Sequence, residues 1–153
     1  MWNEKIRREL LGLALLALAV FALLSLLPFR SDNPALDSGN TMGLLGAGFA
    51  YAGFTVLGVG VWSLPVLLLI GGARAFDWIS RERALRWGVL GAGLAVLVPI
   101  TRALLNPELV AGSLARGAEG WLGETVGLPM LALLNPLGAA ILMVFLYIAL
   151  LVL

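Results

Sequence analysis

Long uncharged apolar stretches alternate with short charged segments along nearly the whole chain. Ser38 to Ala73 and Thr125 to Leu153 carry no charge; Leu10 to Leu27 and Trp87 to Thr101 are the other two such runs. A helix crosses the roughly 30 Å hydrocarbon core of a bilayer with about 20 apolar residues. The pattern therefore predicts an all-α integral membrane bundle of four transmembrane helices with short outer-loop helices. Hydrophobic residues make up 61% of the chain and charged residues 12%, against about 25% charged in ordinary soluble domains. One domain is expected from 153 residues.

Charge sets the expected topology. Lys5, Arg7 and Arg8 precede the first run, and Arg74, Arg81, Arg83 and Arg86 lie between the second and third. The opposite side receives Arg30, Arg102 and Arg116. The positive-inside rule places the richer side, and with it both termini, in the cytoplasm. Trp78 and Trp87 flank the inner loop and suit the interfacial aromatic belt. The first run is longer than a signal core. Leu26-Leu27-Pro28-Phe29 is no small-residue cleavage site, so a retained span is expected.

Spans are expected at about 10–28, 54–73, 87–105 and 128–153. Ser38 to Ala73 as one helix would measure about 54 Å, far more than one crossing needs. Gly43, Gly46, Gly48 and Gly53 crowd its first half, which predicts an outer helical piece near Leu44 to Ala52. Pro65 and Pro136 are expected to kink the second and fourth spans, the latter with Asn135. Asn106-Pro107-Glu108 reads as a helix start and predicts a short outer helix to about Arg116, with Gly117, Gly120 and Gly123 as a flexible return. Ala84, Gly88 and Ala92 share a helix face, as do Gly48 and Ala52. Such small faces let helices approach closely in lipid, within the chain or between copies in a homo-oligomer.

The chemical inventory is thin. With no cysteine or histidine, the chain lacks disulfides, thiolate nucleophiles, imidazole bases and the commonest zinc ligands. No Asp or Glu falls at the middle of a run, where an ion-coupled transporter would carry one. Asp32 and Asp37 flank Asn33-Pro34, and turn chemistry explains them more simply than catalysis. Glu108, Glu119 and Glu124 have no His or Cys companion for a metal. Lys5 is the single lysine, so no phosphate loop ending in Gly-Lys exists here. A net charge of +1 gives no basic field for nucleic acid. The expectation is no catalytic, cofactor-binding or metal residue in this segment and no direct DNA contact. The second outer loop, with Trp121, Leu122 and Glu124, is the candidate partner-contact surface.

The order of fragments resembles a known family. Leu26-Leu27-Pro28-Phe29 and Ser31-Asp32-Asn33-Pro34 stand where it has Leu-Phe-Ser-Tyr and then Asp-Pro. Gly43-Leu44-Leu45-Gly46-Ala47 is similar to its Gly-rich entry to the second span. Leu57-Gly58 and Trp62-Ser63-Leu64-Pro65 are similar to its Phe-Gly and Tyr-Leu-Leu-Pro pattern. Gly120-Trp121-Leu122-Gly123 and Leu134-Asn135-Pro136-Leu137-Gly138-Ala139 complete the set. On these motifs residues 10 to 153 resemble the N-terminal four-span membrane domain of FtsK/SpoIIIE-type bacterial DNA translocases. Asn33 stands where the family often has Asp.

The resemblance implies a membrane-anchor domain, 1–153, in the bacterial cytoplasmic membrane, holding a motor at the division septum among divisome membrane proteins. ATP and Mg would belong to that motor. The charge-free end at Leu153 predicts that a cytoplasmic linker and motor follow. The alternatives are a small transporter or channel subunit, or a free-standing membrane scaffold.

Overall fold

The computed structural model describes residues 4–28, 39–107 and 119–152. All but the first residue of the expected helix from Pro107 to Arg116, the Asp32/Asp37 loop, and Arg30, Glu108, Arg116 and Gly117 lie outside those residues. The elements are α1 (Glu4–Leu26), α2 (Gly43–Leu57), a 3-10 turn (Gly58–Trp62), α3 (Ser63–Ala75), α4 (Arg81–Leu105) and α5 (Gly120–Val152). Among the described residues there are no strands. Four helical stretches are long and apolar enough to cross a membrane: Glu4–Leu26, Gly43–Ala75, Arg81–Leu105 and Gly120–Val152.

α1 and α3 pack antiparallel. At the basic end Gly12 lies under the Phe76 ring, and Gly72 lies under Leu16. At the opposite end Leu26, Ala50 and Val61 form a fully buried cluster, with Phe49, Phe54, Leu57 and Leu64 around it. The α1 carbonyls left over at its C-terminus need partners. Asn40 Nδ2 donates to the Ser25 carbonyl at 2.8 Å, while its Oδ1 accepts from the Met42 N–H at 2.9 Å. One side chain thus closes α1 and opens α2.

Neither of the two longest stretches is straight. A β-carbon built on Gly53 would sit 2.5 Å from Val61 Cγ2. In a continuous helix these residues would be about 12 Å apart along the axis. The chain bends at Gly58, whose φ of 53° and ψ of −138° suit glycine alone. α2 is therefore a separate helix from the 3-10 turn and α3, and it runs on to Leu57, beyond the Ala52 expected from sequence.

α5 bends in the same way. Gly123 lies against the Pro99 carbonyl and Gly127 against Ala103, so the first arm of α5 runs alongside α4 in the same sense. Leu150 meets Gly93, and Tyr147 Oη lies 3.0 Å from Thr101 Oγ1, so the second arm runs in the opposite sense. The reversal falls at Asn135, which leaves helical geometry with φ 58° and ψ 165°; Pro136 restarts the helix. The helix begins at Gly120, ahead of the span start expected near Leu128. Gly120 and Gly123, expected as a flexible return, form its first turn.

The polar side chains in the apolar stretches bond their own helices. Ser25 donates to Phe21 O, Thr55 to Tyr51 O, Ser63 to Gly60 O and Thr101 to Leu97 O, at 2.6–2.8 Å. Each hydroxyl is thus satisfied by a carbonyl three or four residues back, and Thr101 also meets Tyr147 on α5.

Candidate anchoring and docking surfaces

The basic end is built where α1 starts, α3 stops and α4 starts. α3 ends in a turn, with the Asp77 N–H on Arg74 O and the Trp78 N–H on Ala73 O. This puts Asp77 at φ 57°, a left-handed conformation that Asp tolerates better than most residues. Its carboxylate accepts both a bond from Arg74 and a bidentate pair from Arg8 Nη2, each contact of the latter 2.7 Å. The Arg74 and Arg8 guanidinium groups hold the Asp77 carboxyl below the usual carboxylate range. The node ties the first turns of α1 to the end of α3. Sequence reading missed it, since Asp77 follows an aromatic in a short loop with no motif around it. Phe76 and Trp78 stack at 5.1 Å beside it.

α4 then starts from Ser80, whose Oγ accepts from the Arg83 N–H at 3.4 Å. Arg81, Glu82, Arg83 and Arg86 are exposed on its first two turns, and Trp78 and Trp87 are 68% and 55% exposed.

At the opposite end the first arm of α5 presents two faces. Gly120, Gly123 and Gly127 are buried against the 3-10 turn and α4. Trp121 and Glu124 are exposed on the other face, and Leu122 is half-buried between. The three candidate contact residues thus sit on one helical arm, held by a glycine-mediated seam. Glu119, at the entry to this arm, is only 7% exposed.

The expected small-residue faces are placed otherwise. Gly48 and Gly88 have open space where a β-carbon would stand, and Ala52 and Ala92 are exposed; Ala84 is half-buried. Within the chain α4 packs through the next stripe round: Gly91, Ala95, Pro99 and Ala103 are buried. The four-residue spacing was visible in the sequence, but spacing alone does not say which of two small stripes meets a neighbour. Pro65 is buried in the first turn of α3, after the bend at Gly58, so the break precedes it. Pro136 opens the second arm of α5. Among the described residues no group of three or more His, Cys, Asp or Glu is placed to hold a metal.

The family model for the 4TM region of DNA translocase FtsK/SpoIIIE matches residues 4–153. The chain belongs to that family. No curated protein and no solved structure matches it. As a member of this family it is the multi-pass membrane region of a translocase.

Proposed function

We propose that this domain tethers a cytoplasmic, ATP-driven DNA translocase to the bacterial inner membrane at the division septum. In this reading its basic end faces the cytoplasm, and its outer helical layer docks other membrane proteins of the division machinery. The observation that carries the reading is the family match across residues 4–153. The seven basic residues gathered at one end support the orientation. The mechanism is positional. Tethering raises the motor's local concentration where chromosomal DNA crosses the closing septum. ATP and Mg act in the motor, and this domain contributes no chemical step and no DNA contact.

The exposed face of the first α5 arm is the docking element. A fluorescent fusion should collect at midcell. Replacing Trp121, Leu122 and Glu124 together with alanine should leave insertion intact and cut midcell enrichment severalfold. Normal midcell enrichment of the triple variant would remove this face from the docking role, and uniform membrane fluorescence of the unmodified fusion would remove the septal role.

A further inference from the structure

One acid in this fold is buried without a counter-charge. Glu119 stands just before α5 and is 7% exposed. Its spacing puts it on the same helix face as Gly123 and Gly127, the face that packs on α4. A β-carbon built on Gly123 would lie 2.6 Å from the Pro99 carbonyl oxygen and 3.0 Å from Glu119 Cβ, which sets the acid at the mouth of the α4–α5 seam. Next to it Gly120 packs on the Gly58 backbone, so three elements meet there. The acid forms no ion pair with a described residue, and none donates a hydrogen bond to its carboxylate. The Gly123 N–H bonds the Glu119 carbonyl instead. A helix N-terminus favours an acid nearby, but that does not compensate a carboxylate that no amide reaches. α2, the 3-10 turn and α5 contain no Lys, Arg or His, and the exposed Arg102 on α4 does not pair with it. Among the described residues every fully enclosed side-chain oxygen has a partner. The unpartnered Glu119 carboxylate therefore keeps an edge open to an incoming group.

We infer that Glu119 receives an arginine or lysine side chain from a partner membrane protein. The inference rests on the docking role proposed for the first arm of α5 and names what docks there: a segment carrying a basic side chain. An enclosed carboxylate is destabilising until an opposite charge reaches it in good geometry. A charge-assisted hydrogen bond then holds the two together. The arm as a whole is complementary to such a segment. Glu119 and Glu124 are acids and no base accompanies them, while Trp121, 60% exposed, offers the aromatic face on which cations settle. Among the described residues no group of three or more metal-ligating side chains surrounds Glu119, so a side-chain cation fits the site better than a metal ion.

Midcell enrichment of a fluorescent fusion to the full parent protein tests this, with thermal unfolding of the purified chain beside it. Glu119→Gln keeps the shape and removes the charge. It should cut enrichment severalfold and leave Tm unchanged or raised, since an uncompensated charge is lost. Unaltered enrichment with a lowered Tm would mark Glu119 as structural and overturn the inference. If replacing Trp121, Leu122 and Glu124 with alanine abolishes enrichment and Glu119→Gln does not, docking stands and the cation receptor falls. Arg116→Gln should have no effect; a loss equal to that of Glu119→Gln would assign the counter-charge to this chain and overturn the inference. A photo-crosslinker at Trp121 should capture a partner segment with an Arg or Lys beside the crosslink. Changing that basic residue to Gln should reproduce the Glu119→Gln loss, and the two losses should not add. The partner variant leaves this chain unaltered, so its severalfold loss is expected even if Glu119→Gln fails to fold. Additive losses, an undiminished enrichment with the partner variant, or a captured segment without a basic residue would overturn the inference.

Discussion

Glycines of the same type do opposite things in this fold, and a single methyl group separates them. A β-carbon on Gly60 would stand 2.1 Å from the Ala95 carbonyl oxygen, and one on Gly120 2.2 Å from the Gly58 amide nitrogen. Both obstacles are backbone, and Gly120 also has φ 61°. Gly60→Ala and Gly120→Ala should each destabilise the chain by about 1–3 kcal/mol or more. Gly48→Ala and Gly88→Ala meet open space inside helices and should be neutral, or stabilising by up to about 1 kcal/mol. Unfolding of the four variants in detergent checks the ranking, and equal effects would show that these close approaches are absent.

Asp77 gives a second test at the same scale. Its depressed pKa means that its ion pairs contribute fully above the unfolded value, about 3.9, and fade as pH falls through the lower folded value. Thermal unfolding from pH 6 down to pH 2 should show a loss below about pH 4 that is missing in Asp77→Asn. Asn tolerates the left-handed backbone, so this variant isolates the charge.

At the scale of elements, the sequence showed that something had to give and misplaced where. An apolar run of about 54 Å cannot be one crossing, and a break near the glycines and Pro65 followed from that. The structure breaks at Gly58–Trp62, where Gly58 adopts the required turn and Val61 folds back on Gly53. Gly120 and Gly123 read as a flexible return because glycine weakens helices in isolation. Here their missing side chains let the arm lie on Gly58 and Pro99, and packing outweighs propensity.

The reversal at Asn135 is measurable. Spin labels at Trp121 and Ala149 would be about 42 Å apart along a straight helix. The two arms touch α4 at Pro99 and Gly93, about 9 Å apart on its axis, so the labels should lie well under 30 Å. Asn135→Gly should be tolerated, whereas Asn135→Val should cost about 1–2 kcal/mol at a positive φ.

For the whole molecule, fold class and family were legible because a bilayer leaves so few solutions. Uncharged runs of spanning length must be helices, and charge orders their ends. The candidate contact face was legible only as a region. Spacing put Trp121 and Glu124 near each other, but their shared exposure depended on which face the glycines bury. Reporter fusions after Arg83 and after Glu119 should report opposite sides of the membrane, with Arg83 cytoplasmic; the same side for both would end the four-crossing arrangement. The anchoring claim itself is tested by fractionating cells that express the parent gene with and without residues 1–153. ATP-driven DNA translocation should appear in the membrane fraction of the intact protein. Once the domain is deleted, that activity should move to the soluble fraction and persist there. A motor that stays membrane-bound without residues 1–153, or a parent gene that yields no such activity, would contradict it.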